Sequence, residues 1–201
     1  MIARTASFCA IIVVAAAATP GFAANGRAVA FTGAYAGPEL GAHEHHFYLR
    51  ETNLATGAQR GRYYRAWGVG GGAFAGYQFP VGRRVRIGAE VGWGIGGDAP
   101  VAHFSGGTRY ARHPQWGVRG TGRLGYMLTE RLLGYGTFGY GGYRYRDDNS
   151  AGVTNAQAWA SSFTVGAGAE YRLSTRLGIR LDFRHLDNSM SQILVGIPIQ
   201  F

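Results

Sequence analysis

The sequence contains no lysine and a single cysteine, Cys9. The net charge of +9 is therefore carried by arginine alone. One cysteine cannot form an intramolecular disulfide, so the chain must be stabilised by other means. Charged residues make up only 15% of the chain, and the arginines are scattered singly instead of forming a basic helix or a contiguous run. This scatter argues against nucleic-acid binding, the function that so basic a chain first suggests.

Long hydrophobic runs are also missing. A transmembrane helix needs about 20 consecutive apolar residues, and the apolar run Phe8–Ala18 is clearly shorter. Arg4 precedes this run, Pro20 ends any helix, and small residues lie before Ala24. We therefore expect residues 1–23 to be a cleavable secretory signal peptide and residues 24–201 to form one domain. If that domain lies in a membrane, it must be a closed β-barrel, since only closure satisfies every backbone group in lipid.

The chain is rich in glycine and in aromatic residues. It contains 34 glycines, and 13% of its residues are aromatic. Disordered segments are poor in aromatics and lack periodicity. Here glycine alternates with tyrosine, phenylalanine and valine, which favours many short, closely packed strands.

The alternation is clearest near the C-terminus. From Leu177 to Arg184 the apolar residues fall on odd positions and the polar ones on even positions. A period of two is typical of a strand with one apolar and one polar face. The same pattern divides the chain into eight predicted strands: Thr32–Ala42, Ala66–Phe79, Arg84–Ile95, Gln115–Met127, Leu132–Tyr145, Trp159–Leu173, Leu177–Asp187 and Gln192–Phe201.

The connections between these strands alternate in length. Three are tight turns: Pro80–Arg83, Leu128–Arg131 and Ser174–Arg176. Three others are long and polar: His43–Arg65, Gly96–Pro114 and Arg146–Ala158. Short turns at one end and long loops at the other are the layout of an outer-membrane barrel. The predicted fold is therefore all-β: an eight-stranded antiparallel up-and-down transmembrane β-barrel.

The polar faces of the strands predict what fills the barrel. If the apolar faces meet lipid, four acids and six arginines point inward as a polar network. They are Glu39, Arg86, Glu90, Arg119, Arg123, Glu170, Arg172, Arg180, Asp182 and Arg184. The opposite register would put these arginines in hydrocarbon, at about 2–4 kcal/mol each near the midplane. Eight strands leave room only for side chains, so a packed polar interior is expected.

Aromatic residues give a second indication of the same orientation. The four tryptophans fall at the long-loop ends of their strands with outward parity, and several tyrosines lie outward at the short-turn ends. Two such aromatic girdles are typical of membrane barrels. The predicted interface residues are Trp67, Trp93, Trp116, Trp159, Tyr77, Tyr126 and Tyr171.

Several segments resemble one family. Thr32–Gly37 resembles the first strand of the opacity-like small outer-membrane barrels of proteobacteria, and Gly71–Tyr77 resembles their second. Arg119–Tyr126 is similar to their fourth strand, and Val165–Tyr171 with Arg180–Arg184 to their sixth and seventh. The resemblance implies a bacterial outer-membrane protein. It also implies that the terminal Phe201 is the signal read by the outer-membrane assembly machinery.

Two groups of residues could carry chemistry. His43, Glu44, His45 and His46 suit zinc, copper or haem iron by residue type, although in a loop they are better explained as a solvated polar segment. His185, Asp187 and Ser189 resemble a stretch of lipid A deacylases, but Asp187 occupies the position of the nucleophilic serine. We therefore predict no enzyme activity, no cofactor and no metal site.

The leading functional hypothesis is a structural outer-membrane barrel with a largely plugged lumen. It would support envelope integrity and interact with the surroundings through its long external loops. The alternatives are a narrow porin-like channel and, less favoured, a lipid A-modifying hydrolase. The expected partners are outer-membrane lipids and lipopolysaccharide, whose phosphates could pair with loop arginines. These arginines are Arg50, Arg60, Arg62, Arg65, Arg109, Arg112 and Arg146. A monomer is favoured.

Overall fold

The computed structural model describes residues 30–52, 56–104, 107–150, 156–186 and 190–201. Within these ranges the regular structure consists of ten strands. They are β1 Gly33–Thr52, β2 Gln59–Val81, β3 Val85–Gly96, β4 Val101–His103, β5 Arg109–Met127, β6 Leu132–Asn149, β7 Ala156–Arg172, β8 Gly178–Leu186, β9 Met190–Gly196 and β10 Ile199–Gln200. In the same ranges, no helix has the length and hydropathy needed to cross a bilayer.

The strands close into one antiparallel ring. Going round it, β1 pairs with β2, then come β3, β5, β6, β7 and β8, and β9 with β10 returns to β1. β9 and β10 are two parts of the eighth ring strand, while β4 lies outside the ring and pairs only with β5. The predicted eight-stranded antiparallel barrel is confirmed.

Pro198 interrupts the eighth ring strand without opening the barrel. Proline has no N–H to donate to a ladder. On either side, the Ile197 N–H donates to the Pro38 carbonyl at 3.0 Å, and the Pro198 carbonyl accepts from the Gly178 N–H at 3.0 Å. The backbone groups beside the proline are thus satisfied by both neighbouring strands, and the closure that a membrane requires is kept.

The faces of the strands follow the sequence alternation. In β8, Arg180, Asp182 and Arg184 are buried inside the ring, whereas Leu181 and Phe183 are more than half exposed on its outside. The apolar outer surface and the polar interior are the reverse of a soluble barrel.

The first hairpin is much longer than predicted. β1 and β2 pair without a break from Gly33 with Gln78 to Thr52 with Gln59. The prediction of a loop over His43–Arg65 is therefore wrong. The odd residues His43, His45 and Phe47 continue the buried face of β1, so the hairpin extends past the membrane band while its inward side still packs. The three tight turns lie where the sequence predicts them, between β2 and β3, β5 and β6, and β7 and β8.

Glycines on the inner face make room for the large side chains of the interior. A Cβ atom added at Gly92 would collide with the guanidinium of Arg119. One added at Gly76 would meet the Tyr35 hydroxyl, and one at Gly168 the Tyr135 hydroxyl. Because an eight-stranded barrel is just wide enough for side chains, a large residue on one strand requires a small one opposite it.

We expect Gly92→Ala to lower the free energy of unfolding by roughly 1–3 kcal/mol, because the added methyl group displaces Arg119. Urea unfolding of the protein folded in lipid vesicles, followed by tryptophan fluorescence, measures the change. Gly120→Ala is the matched control, since a Cβ atom at Gly120 meets nothing within 4 Å. Equal effects of the two substitutions would contradict the packing argument.

Candidate functional site

The middle of the barrel interior is a network of four carboxylates and four guanidinium groups. Its members are Glu39, Glu90, Glu170, Asp182, Arg119, Arg123, Arg180 and Arg184, and all eight are buried. They come from β1, β3, β5, β7 and β8, so the network links strands on all sides of the ring. Four negative and four positive groups leave it formally neutral.

Glu90 lies at the centre of this network. Its Oε2 accepts from Arg180 Nη1 at 2.6 Å and from the Tyr35 hydroxyl at 3.1 Å. Its Oε1 accepts from Arg184 Nη2 at 3.1 Å and lies 3.6 Å from Arg119 Nη2. A carboxylate out of contact with water is tolerated only when its lone pairs are satisfied in this way.

The other three acids each hold particular arginines. Glu39 accepts from Arg119 at 2.8 Å and from Arg180 at 2.9 Å. Asp182 lies 2.9 Å from Arg180 Nε and accepts from the Tyr135 hydroxyl at 2.6 Å.

Glu170 is the remaining acid, and it accepts from Arg123 Nη2 at 2.6 Å. The guanidinium of Arg123 also lies 3.5 Å from the ring centre of Tyr135, and that of Arg180 lies 3.3 Å from the ring centre of Phe74. Each of these two guanidinium groups therefore has an aromatic ring against its flat face and carboxylates at its edge. Both kinds of contact attract a cation.

Two predicted members of the network lie elsewhere. Arg86 donates from Nε to the Ala30 carbonyl at 2.9 Å, and Arg172 lies 5.1 Å above the ring of Phe31. Neither forms an ion pair within 4 Å among the described residues. Phe31 is fully buried and packs with Leu133 and Tyr135. These residues form an apolar and basic layer at the short-turn end, because the segment before β1 enters the barrel there.

A third layer, which we call the histidine–tyrosine layer, fills the long-loop end. It consists of His43, His45, Tyr143, Tyr145 and Gln192. His45 Nδ1 lies 2.9 Å from the Tyr145 hydroxyl, and its Nε2 lies 3.1 Å from the Gly96 carbonyl. The Tyr143 hydroxyl donates to the same carbonyl at 3.2 Å, so this layer is packed and internally bonded.

The interpretation of the four residues 43–46 as a solvated loop is wrong, because all four lie in β1 and three of them, His43, Glu44 and His45, are buried. His43 and His45 are almost completely buried in the histidine–tyrosine layer, while Glu44, which is also buried, and the half-buried His46 lie on the opposite face of β1. A strand places successive side chains on opposite faces, so the four cannot converge on one ion. Within the described residues no three His, Cys, Asp or Glu side chains are placed to hold a metal.

The alternation in the sequence does indicate that the histidines of this layer point into the barrel. His43, His45 and Phe47 keep the odd parity of Tyr35 and Glu39, but the polar composition of the segment hides that continuity.

The aromatic residues predicted for the membrane interface lie on the outer face. Trp67, Trp93, Trp116 and Trp159 are exposed towards the long-loop end, and Tyr77, Tyr126 and Tyr171 towards the short-turn end. The Trp116 and Trp159 rings meet edge to face, with centroids 5.3 Å apart. Their position in a lipid interface stays a prediction. Phe201 is also exposed, and its role as an assembly signal stays a prediction.

The residues that resemble a hydrolase set are not brought together by the described part of the chain. His185 lies on the outer face, and its Nδ1 is 3.0 Å from the Ser191 hydroxyl. Asp187 and Ser189 lie outside the described residues. His185 also stacks on His46, with ring centroids 6.5 Å apart.

The loop arginines differ in what they contact. Arg112 lies 3.2 Å from Asp147 and over the ring of Tyr145, so it belongs to the packed end of the barrel. Arg146 lies 3.8 Å from Asp148, and Arg65 lies 3.5 Å from Glu44.

Comparison with known proteins assigns the fold to a family. A family model described as the outer membrane protein beta-barrel domain matches residues 6–192. The chain belongs to this family. It is a β-barrel protein of the bacterial outer membrane, as the resemblance of its strands to small outer-membrane barrels predicted.

Two curated relatives are similar in sequence. The 31 kDa outer-membrane immunogenic protein of Brucella melitensis is 32% identical over 133 residues, which cover 61% of this chain and 55% of that protein. The 22 kDa outer membrane protein of Rhizobium leguminosarum bv. viciae is 33% identical over 144 residues, covering 70% and 63%. The chain thus spans little more than half the length of the Brucella relative that it matches.

Two solved structures are more distant. Neisserial surface protein A is 14% identical, with a TM-score of 0.49, and the match covers 85% of this chain and 98% of that one. Ail of Yersinia pestis is 12% identical, with a TM-score of 0.46 and coverage of 85% and 99%. Neither likeness is close enough to bear on function.

We expect Glu90→Gln to lower the free energy of unfolding by about 3–5 kcal/mol, because it leaves buried guanidinium groups without their central counter-charge. The equilibrium is measured by urea titration of the folded protein in vesicles. Glu130→Gln, on the exposed turn between β5 and β6, is the control and should change stability by less than about 0.5 kcal/mol. A Glu90→Gln variant as stable as this control would show that the network is not needed to hold the barrel together.

Proposed function

We propose that this protein is a structural outer-membrane barrel with a largely closed lumen, which supports envelope integrity and interacts with its surroundings at its long-loop end. The observation that carries the proposal is the filled interior. Phe31 and Leu133 occupy the short-turn end, the neutral charge network the middle, and the histidine–tyrosine layer the long-loop end.

The chemistry of the interior supports a structural role over transport. A channel needs groups that bind a passing solute and release it. Here the carboxylates of Glu39, Glu90 and Asp182 each bind two or more arginines, and among the described residues Arg119, Arg180 and Arg184 form ion pairs only with these three acids. Moving a solute through would require breaking several buried ion pairs at once.

The long-loop end supports the interaction part of the proposal. Beyond the pair of Trp67 with Glu44, the β1–β2 hairpin continues for eight residue pairs, His45 with Ala66 to Thr52 with Gln59. Its outer side carries the exposed Tyr48 and Tyr63, whose rings lie 5.0 Å apart. Arg50, Arg60, Arg62 and Arg65 make the hairpin basic. With short turns facing the periplasm, this end faces the outer leaflet and the exterior, where the proposed partners are outer-membrane lipids and lipopolysaccharide.

Assembly is proposed to use the C-terminal residue. Phe201 is 80% exposed beside the first ring strand, and its N–H donates to the Ala34 carbonyl at 3.0 Å. An exposed aromatic side chain at the end of the closing strand is accessible to the assembly machinery.

Planar-bilayer recordings test the closed lumen. We expect the refolded protein to show no discrete current steps at any voltage, because three packed layers block the ring. Arg180→Ala/Arg184→Ala is the control variant, since it removes two of the largest fully buried side chains and should allow current if it folds. Migration on a gel with and without boiling reports folding of both proteins. Reproducible unitary steps from the unmodified protein would replace the structural proposal with the channel alternative.

Lipid A analysis tests the proposal that the protein is not an enzyme. Mass spectra of lipid A from cells with and without expression should show the same acyl pattern, since Asp187 stands where a deacylase has its serine. Loss of one acyl chain upon expression, abolished by His185→Ala, would favour the hydrolase.

A further inference from the structure

The short-turn end of the barrel carries far more positive than negative charge. Six arginines lie in or beside its three turns: Arg83, Arg84, Arg86, Arg131, Arg172 and Arg176. The side-chain carboxylates at this end are Glu130, in the turn between β5 and β6, and Glu170, which is held by Arg123. Residues 1–29, which precede the described range, contain neither aspartate nor glutamate. The arginines at this end therefore exceed the acids that could neutralise them.

Arg83 and Arg84 line a cleft between the β2–β3 turn and the β5–β6 turn. The cleft has a volume of about 800 Å³, and Leu128 and Glu130 lie in its other wall. Both arginines are exposed, and neither has a carboxylate within 4 Å in the described part of the chain. Arg84 Nη1 donates to the Tyr126 hydroxyl at 3.4 Å, which leaves its other N–H groups unused. An anion in the cleft can therefore meet two guanidinium groups that have no counter-charge.

An apolar groove of about 350 Å³ lies on the outer face, on the membrane side of this cleft. Its floor is Gly134 and Gly136 of β6, and its wall is Tyr126 and Leu124 of β5, which pair with these two glycines. The residues of β7 that pair with the same glycines are also small, so the floor stays low for the width of two strands. They are Ala167 and Ala169.

Two contacts make the cleft and the groove continuous. Tyr126 forms the wall of the groove and accepts the hydrogen bond from Arg84 in the cleft. Leu128 lines the cleft, and its Cδ1 would lie 3.7 Å from a Cβ atom added at Gly134 on the groove floor. Cationic groups at the level of the turns thus adjoin a hydrocarbon groove at the level of the membrane.

We propose that this surface binds one acidic phospholipid of the inner leaflet, with its phosphate at Arg83 and Arg84 and an acyl chain over Gly134 and Gly136. Arginine N–H donors match phosphate oxygens, and the excess of positive charge favours a headgroup that is negative overall. The inner leaflet is assigned because short turns of such barrels face the periplasm. The inference rests on the proposed function, since it gives a site to one of the outer-membrane lipids proposed there.

A soluble anion fits this surface less well than a lipid does. An acidic peptide or a phosphate ion would use the two arginines but would leave the apolar groove beside them uncovered. A phospholipid fills both parts, because its phosphate and its acyl chains belong to one molecule.

The second cleft at this end lacks such a groove. It lies between the β5–β6 turn and the β7–β8 turn and includes Arg131 and Arg172. Arg172 Nη2 already donates to the Thr175 carbonyl at 2.7 Å. The outward residues on its membrane side are Tyr171 and Ile179, which pair across β7 and β8 and leave no low floor for an acyl chain.

Native mass spectrometry of the folded protein in a neutral detergent tests the headgroup contact. The probes are phosphatidylglycerol and phosphatidylcholine with the same acyl chains, and the unmodified protein should prefer phosphatidylglycerol. We expect Arg83→Gln/Arg84→Gln to weaken binding of phosphatidylglycerol about tenfold and to leave that of phosphatidylcholine nearly unchanged. Arg60→Gln/Arg62→Gln is the matched control, since it removes the same charge from exposed positions on the β1–β2 hairpin.

A second pair of variants tests the acyl groove. A Cβ atom at Gly136 comes no closer to its neighbours than 3.8 Å, to the Gly166 carbonyl oxygen, so Gly136→Leu fills the groove without displacing the barrel. It should weaken binding of both lipids at least about fourfold, the effect of one methylene group that is no longer buried. Gly120→Leu is the control, because Gly120 is also exposed on β5, has nothing within 4 Å of an added Cβ atom and lies outside the groove.

The outcomes separate the inference from the proposal on which it rests. If Arg83→Gln/Arg84→Gln binds phosphatidylglycerol as tightly as its control, or if the unmodified protein does not distinguish the two lipids, the inference is wrong. The lipopolysaccharide partnership, which concerns the long-loop end, would then still stand. If the unmodified protein retains neither phospholipid and no lipid A, the lipid partnership itself fails.

Two further results would overturn parts of the assignment. Equal binding by Gly136→Leu and Gly120→Leu would show that no acyl chain lies in the groove. Displacement of the lipid by inorganic phosphate or by a soluble acidic peptide at equal concentration would show that the arginines recognise a soluble anion. Gel migration before and after boiling confirms that every variant is folded.

Discussion

Closure of the strand ring is the constraint on which the rest of the structure depends. In a bilayer an unpaired N–H or C=O group costs several kcal/mol, so the sheet can have no free edge. This chain closes with eight strands even though the last one contains Pro198, whose flanking groups are bonded by β1 and β8. Closing at eight strands fixes the interior at the width of a few side chains. The composition of that interior then follows from how those side chains can satisfy one another.

A narrow interior lined by the polar faces of strands must neutralise its own charges. Here four acids meet four arginines, and Glu90 at the centre touches arginines from β5 and β8. Buried ion pairs of this kind contribute little net stability compared with apolar packing, but losing one partner is costly. Their effect is therefore to favour this strand register over others, in which the same charges would lose their partners. A slip of one residue in β8 would expose Arg180, Asp182 and Arg184 to hydrocarbon and move Leu181 and Phe183 into the charged interior.

The sequence predicted the parts of the fold that depend on a period of two. Strand faces, tight turns and the inward position of residues such as Glu90 and Arg180 follow from alternation together with the aromatic positions. The first hairpin was predicted too short, because a polar strand outside the membrane has the same composition as a loop. His43 and His45 could have been placed inside by extending the parity of Tyr35 and Glu39. The separate positions of Arg86 and Arg172 could not, since they depend on Ala30 and Phe31 entering the barrel.

This packing explains why the barrel interior and its outer face differ in their capacity to bind a ligand. Every charged group in the middle of the interior is committed to another one, and the histidines at the long-loop end are bonded to tyrosine, glutamine or backbone. A ligand entering from outside would have to replace those bonds with equivalent ones. On the outer face, by contrast, Arg65 pairs with Glu44 while its side chain stays 64% exposed. Recognition by this barrel is therefore expected where the apolar band ends, on the outside of the ring.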